Sequence, residues 1–232
     1  MKNSQLVETK ELVKDYPVGN HFFRALNDIN LQFKSGEFTG LVGPSGSGKT
    51  TLLNILGALD SPTSGSTVVM DHKIEELTHK EAAKLRNEYL GFIFQTYNLL
   101  PVYNVFENVE FPLLLLKMEA DDRKKAVNNA LEWVGLTDKI KSKPAQLSGG
   151  ESQRVAIARA MVKKPTIVLA DEPTANLDAK NSHNILQTME KLNKELNTTF
   201  IFATHDDKVI KYLQRKISLE DGKVVNDEII RS

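Results

Sequence analysis

The chain contains no cysteine. That excludes disulfide staples and cysteine-ligated zinc, and it suits a reducing compartment. Neither sign of charge is in excess: thirty basic side chains balance thirty acidic ones, so no overall field draws the chain to nucleic acid. Aromatic residues make up only 7%, which leaves aliphatic side chains to fill most of any core. Long apolar runs are missing too. The greasiest, Phe111-Pro112-Leu113-Leu114-Leu115-Leu116, is far short of the roughly 20 residues that a membrane span requires. The N-terminal segment lacks the charged-then-apolar pattern of a secretory leader. Any membrane role is therefore expected to run through another chain. No internal repeat or low-complexity tract interrupts the 232 residues, a length for one large domain or two small ones.

What is present centres on Gly43-Pro44-Ser45-Gly46-Ser47-Gly48-Lys49-Thr50, which fits G-x-x-x-x-G-K-[ST] at every fixed position. Before it, residues 38–42 form a short apolar run of strand type. After it, residues 51–59 read as a buried helix. Strand, glycine loop and helix together turn the string into a site. Glycines let successive backbone N–H groups point inward at phosphate oxygens, and the helix start adds unpaired N–H donors and partial positive charge. Lys49 can reach the outer phosphates and the Thr50 hydroxyl can ligate Mg²⁺. A nucleoside triphosphate is the expected ligand.

The rest of the chain reads as α/β. Residues 26–34 alternate apolar and polar, as a half-buried strand does; a turn at 14–19 precedes it and carries Tyr16. That aromatic either packs or stacks on a base. Strands are expected at 67–70 and 91–94, the latter ending at Gln95, with a helix at about 79–88 between them. A polar residue at the end of a buried strand is either an ordinary loop glutamine or a ligand contact. From about 97 to 146 helices are expected. Asp121 and Asp122 are placed to cap one of them, and the apolar segment 97–116 is either subdomain core or a groove for a partner.

Leu147-Ser148-Gly149-Gly150-Glu151 then leads into a helical pattern. It is a simple helix cap or a second anion-binding helix start. Ile167-Val168-Leu169-Ala170 is apolar throughout, as expected of a strand buried on both faces, and it ends in Asp171-Glu172. Adjacent carboxylates there are costly unless used. Asp171 can hold Mg²⁺, and Glu172 can polarise an attacking water. A helix at about 180–196 and a strand at 199–203 follow. His205 is the one histidine of five at the end of an apolar strand. Residues 216–225 read as a hairpin.

This ordered set resembles the ATP-binding subunit of ABC transporters over nearly the whole length. The resemblance implies a P-loop NTPase (RecA-like) core with a mostly parallel sheet, an N-terminal antiparallel β-subdomain and an α-helical subdomain. The division expected within the single domain of residues 1–232 is 1–95 with 161–232 for the core and 96–160 for the helical part. Nucleotide contacts are implied for Tyr16 as the adenine-stacking aromatic, for the loop residues Gly43, Pro44, Ser45, Gly46, Ser47, Gly48, Lys49 and Thr50, and for Thr51. Gln95, Thr50 and Asp171 are implied at Mg²⁺, with Glu172, His205, Gln95 and Lys49 as the catalytic set. Ser148, Gly149 and Gly150, with Asp178, would meet the nucleotide held by the other copy of a head-to-tail homodimer. Glu151 and Ala175 depart from the common Gln and Gly without removing a catalytic group.

Within that family the wording resembles the lipoprotein-release and macrolide-export ATPases, through Gly91-Phe92-Ile93-Phe94-Gln95, Asn98-Leu99-Leu100-Pro101 and Glu107-Asn108-Val109. The resemblance implies an ATPase, peripheral on the cytoplasmic face of the inner membrane, that drives an integral permease and binds no nucleic acid. Lipoprotein release is the expected role, with macrolide or peptide efflux, or cell-division-type regulation of a membrane partner, as alternatives.

Overall fold

The computed structural model describes residues 5–231. The chain opens with β1 (Gln5–Val18) and β2 (His21–Lys34). They are followed by β3 (Phe38–Val42), α1 (Lys49–Leu56), β4 (Ser64–Val69), β5 (His72–Lys73), α2 (His79–Tyr89) and β6 (Leu90–Ile93). Three helices come next: α3 (Val105–Leu115), α4 (Ala120–Trp133) and α5 (Gly149–Met161). The last part runs through β7 (Ile167–Asp171), α6 (Ala179–Leu196), β8 (Thr199–Thr204), α7 (Asp207–Ile210), β9 (Arg215–Glu220) and β10 (Lys223–Ile229).

The strands form two sheets. A four-stranded antiparallel sheet has the order β2-β1-β4-β5, and a six-stranded sheet has the order β10-β9-β3-β8-β7-β6. Within the second, β9, β3, β8, β7 and β6 run parallel, and only the hairpin strand β10 is antiparallel. The central strands are mostly apolar, with buried threonines at 39, 199 and 204, because both faces are covered. In β7, Ile167 and Leu169 join the core under the antiparallel sheet and α1, whereas Val168 and Ala170 join the core under α3, α4, α5 and α6. Ile201 and Ala203 of β8 split from Phe200 and Phe202 in the same way. This is the period-two alternation of a strand, read by two hydrophobic layers instead of one. The helical region thus shares one continuous core with the sheet.

Two local expectations change. The turn read at 14–19 is strand as far as Val18, and the reversal occurs at 19–20, with Gly19 at φ +58°. Beyond Val13, β1 pairs with β2 alone, so Pro17 lies in a two-stranded ribbon where a missing N–H is tolerated. The helix α4 begins one residue before Asp121, with Glu119 at the cap position and no side-chain cap bond. Asp121 and Asp122 instead occupy its first turn, where their charge complements the helix dipole. The apolar segment 97–116 is core in part: Val105, Val109 and Leu113 are buried, while Leu114 and Leu115 face outward.

Candidate active site

Parallel pairing brings three chain exits together. Val42 of β3 lies level with Thr204 of β8, and Asp171 of β7 lies level with Ala203. The loops that follow β3, β7 and β8 therefore emerge at one end of the sheet, side by side, where α/β proteins bind ligands.

The loop 43–48 runs from β3 into α1. Gly48 caps that helix at φ +99°, and a Cβ there would lie 2.6 Å from the Ala25 carbonyl oxygen. Gly43 is closer still to its surroundings: a Cβ would sit 2.1 Å from the Leu219 carbonyl. Both positions demand glycine for space, and Gly48 also for its dihedral. Lys49, only 7% exposed, donates to the carbonyls of Gly43 and Pro44 at 2.8 Å each. Burial pulls its ammonium below the ordinary lysine range, and the nearby carboxylates of Glu172 and Asp171 oppose that. The Thr50 hydroxyl donates to Asp171, 3.2 Å from one carboxylate oxygen and 3.1 Å from the other. Burial raises the Asp171 carboxyl; the Thr50 bond and Lys49 pull it down, while the charge of Glu172 adds to the rise.

Glu172 sits at φ +45°, a left-handed conformation that costs a side-chain-bearing residue about 1–2 kcal/mol. Its surroundings hold it there. The backbone N–H donates to the Ala203 carbonyl at 2.9 Å, the Thr204 hydroxyl donates to Oε2 at 3.2 Å, and His205 Nδ1 lies 2.6 Å from Oε1. Strain of this kind persists where the structure over-determines it, and such places are often functional.

Ser45, Gly46, Gly48, Lys49, Thr50, Thr51, Gln95, Asp171, Glu172 and His205 line one cavity of about 420 Å³, together with Phe23 and Ala25. Ten positions predicted from the sequence thus converge. Gly43, Pro44 and Ser47 stand behind that wall; the first two anchor Lys49. Tyr16 also stands off it. Its hydroxyl donates to Asp60 at 2.7 Å, and the Lys14 ammonium lies 4.9 Å from its ring centre. The aromatic on the wall is Phe23, directly opposite Tyr16 in the β1–β2 pairing. The signal that could have found it was the tight Gly19-Asn20 reversal, which sets that register.

Ser148, Gly149, Gly150 and Asp178 lie elsewhere. Ser148 caps α5: its Oγ accepts from the Glu151 N–H at 3.2 Å, and Glu151 accepts from the Ser148 N–H at 2.8 Å. Lys139 pairs with Glu151 at 3.3 Å. Asp178 caps α6 by accepting from the Asn181 N–H at 2.9 Å. A Cβ on Gly150 would lie 2.8 Å from Asn181 Oδ1, so the two helix starts are neighbours. None of the four residues reaches the cavity.

The site suits a triphosphate with a hard cation. Thr50, Asp171 and Gln95 offer oxygen donors, the ligand type Mg²⁺ takes. The glycine-lined helix start and Lys49 offer N–H groups and positive charge opposite the two carboxylates. Residues 26–175 match the family model described as ABC transporter. The chain belongs to the ABC transporter family. This ABC ATPase is 42% identical over 230 residues to the ABC transporter ATP-binding protein MJ0796 of Methanocaldococcus jannaschii, covering 97% of this chain and 98% of that one. A structure described as a dimeric post-hydrolysis state of the ATP-binding cassette MJ0796 bound to ADP and Pi superposes with a TM-score of 0.91, over 98% of this chain and 100% of that one. The lipoprotein-releasing system ATP-binding protein LolD of Legionella pneumophila is 42% identical over 222 residues, covering 96% and 98%. The macrolide export ATP-binding/permease protein MacB of Hyphomonas neptunium is also 42% identical over 222 residues, but the match covers only 34% of that protein.

Proposed function

We propose that this ABC ATPase works as a head-to-tail homodimer, hydrolyses Mg-ATP, and thereby drives a separate integral membrane permease from the cytoplasmic face in lipoprotein release. The observation that carries the proposal is a separation. The cavity gathers Lys49, Thr50, Asp171, Glu172 and His205, yet the second anion-binding helix start, at Ser148, Gly149 and Gly150, lies off its wall beside Asp178. Two such half-sites in one chain become two whole sites when two copies pair antiparallel. The relative MJ0796 is described as dimeric, with ADP and Pi bound.

Within each site the loop amides and Lys49 bind phosphate oxygens, with Thr51 on the same wall. Thr50, Asp171 and Gln95 are the residues that would hold Mg²⁺, which supplies positive charge against the charge that develops on the transferring phosphoryl group. Glu172 orients and polarises the attacking water. His205 and Thr204 fix its carboxylate from two sides and leave its remaining lone pairs for that task. Phe23 and Ala25 form the apolar wall for base or sugar, and Tyr16 adds an aromatic at its edge.

The family and the surface support the permease. No helix of the described residues is long and apolar enough to cross a membrane. A groove of about 260 Å³ lined by Phe92, Phe94, Leu100, Phe111 and Pro112, together with Arg159 and Lys163, offers a mostly apolar seat, and Leu115, elsewhere on the helix of Phe111 and Pro112, is 58% exposed. Lipoprotein release rests on the full-length match to LolD. The match to MacB supports a second reading, macrolide or peptide efflux.

A capture experiment tests the proposal. The Glu172→Gln chain, tagged and supplied with Mg-ATP, is used to recover partners from membranes in mild detergent. An integral membrane subunit with a large extracytoplasmic domain, enriched over an ATP-free control, is the expected result. Recovery of the chain alone, as a monomer, would overturn both the dimer and the permease.

A further inference from the structure

The loop that follows β6 carries Gln95 to the cavity, and little of it is regular structure. Two successive residues, Tyr97 and Asn98, hold positive φ values of +60° and +49°. Side chains are disfavoured in that region, tyrosine more than asparagine, and three bonds within the turn offset part of that cost: the Tyr97 N–H donates to the Phe94 carbonyl at 3.2 Å, the Asn98 N–H to the Thr96 carbonyl at 2.6 Å, and the Thr96 hydroxyl to Asn98 Oδ1 at 2.9 Å. Its grip on the rest of the molecule comes from α5, the helix whose first turn contains Ser148, Gly149 and Gly150. Arg159, on the last turn of α5, donates from one guanidinium nitrogen to the Asn98 carbonyl at 2.6 Å and from the other to the Tyr97 carbonyl at 2.7 Å. The side chain of Tyr97 then lies back along the same helix: a Cβ on Gly149 would be 3.1 Å from its hydroxyl. One residue of the loop thus touches α5 at both ends.

The neighbouring anchors complete the hold. Fully buried Asn108 accepts from the Leu100 N–H and donates to the carbonyls of Leu100, Tyr103 and Asn104. Asn176, in the loop that follows Glu172, donates to the Gln95 carbonyl at 2.9 Å. Removing Arg159 would leave Asn108 and Asn176 holding the loop at 100–104 and at 95, and would leave the strained pair between them to the turn's own bonds alone.

We propose that Arg159 is a positioning residue for the hydrolytic site: by clamping the carbonyls of Tyr97 and Asn98 it fixes where Gln95 presents its amide, and it ties that position to the helix that starts at Gly149. A planar fork serves here because it sets two donors at a fixed spacing against the two carbonyls, whereas an ammonium on a flexible stem leaves that spacing to the loop. The inference rests on the proposed role of Gln95 at Mg²⁺ and the attacking water.

The test is a double-mutant cycle on the full chain with Arg159→Met, Gln95→Ala and the pair, and with Arg159→Lys as the variant that keeps charge and packing. Three readouts are taken: kcat against KM for ATP, the Mg²⁺ concentration at half-maximal rate, and hydrogen exchange of the amides of residues 95–99 without nucleotide. For Arg159→Met, kcat falls roughly 10- to 100-fold with KM little changed. The Mg²⁺ requirement rises about tenfold, as for loss of a group that orients a metal ligand. The loop amides exchange faster, whereas Gln95→Ala leaves them protected. The double variant is no slower than Gln95→Ala alone, because the clamp acts through that residue. Arg159→Lys falls between, and it carries the test should the Met variant fail to fold.

Full additivity of the two rate losses, or unchanged exchange at 95–99, would overturn the role of Arg159 and leave that of Gln95 standing. A Gln95→Ala chain with wild-type rate and Mg²⁺ requirement would remove the role of Gln95 itself, and this inference with it.

Discussion

Replacing Glu172 by Gln separates chemistry from structure more sharply than any other single change in the site. The amide has nearly the shape of the carboxylate, so the residue keeps its backbone bond to Ala203 and its place between Thr204 and His205. Its oxygen can still face His205 Nδ1, and its NH₂ can face the Thr204 hydroxyl, which already serves as acceptor for the Asp206 N–H at 3.0 Å. The structural loss is about one hydrogen bond's worth, ~1 kcal/mol. For a chain of this length that moves the melting temperature by only about 2–4 °C. Removing the charge also relieves Asp171, whose carboxyl Glu172 pushes upward. The chemical loss is far larger. General-base assistance is worth roughly 10²–10⁴ in rate, or about 2.7–5.5 kcal/mol of barrier. Steady-state phosphate release should therefore fall by that factor, while ATP binding is kept or tightened. Size-exclusion chromatography in Mg-ATP should show an accumulated dimer, because every phosphate-binding group remains. A kcat within about threefold of the wild type would remove Glu172 from the chemistry. A rate loss that arrived with a fall of some 10 °C in melting temperature would show that Glu172 acts through the fold instead.

Three further outcomes are expected. Ser148→Arg removes the cap of α5 at a cost of about 1 kcal/mol and places bulk and charge at the proposed dimer contact; nucleotide binding to the monomer, followed by fluorescence of a nucleotide analogue, survives, and dimerisation by light scattering is lost. Phe23→Ala weakens ATP binding by roughly 1–3 kcal/mol, the usual worth of an aromatic against a base, whereas Tyr16→Ala, which removes a ring that stands off the wall, changes calorimetric affinity less. Equal losses would return the base to Tyr16. The third concerns pH. Burial lowers the Lys163 ammonium to about 8, although the carbonyls of Arg86 and Asn87 hold it at 2.7 Å each. The unfolded chain binds that proton more tightly, so the cost of burying the charge is fully present below about pH 8 and is relieved as pH rises towards the ordinary lysine value of about 10.4. Denaturant midpoints should climb across that window in the wild type and climb less in Lys163→Met.

The phosphate loop, Asp171-Glu172 and His205 were legible from local strings because the chemistry there is local. A glycine loop between strand and helix curls by its own dihedral preferences, and an apolar run that ends in carboxylates announces a buried strand with a working end. The period-two burial of β7 and β8 was hidden, since both of their faces are apolar and no polar residue marks the alternation. Asp121 and Asp122 were misassigned as caps because a first-turn acid and a cap residue share a composition, and only the backbone distinguishes them. The turn placed at 14–19 shows the same limit. Pro17 and Gly19 suggest a break, but pairing with β2 keeps the strand going to Val18.

By itself, then, the order of residues determined the ligand class and the family and pointed to the groups proposed to carry the reaction, because each depends on a short stretch whose conformation its own residues dictate. Tertiary structure alone put Phe23 on the cavity wall, next to Tyr16, its cross-strand partner on the same face of the ribbon. It decided that Ser148 and Asp178 stand off the cavity wall, since that depends on how α5 and α6 pack. It also brought Arg159 to a loop more than sixty residues earlier in the chain, where it holds two carbonyls that no string could have paired with it. Contacts of that range are set by the packing of whole elements, and packing is a property of the assembled core.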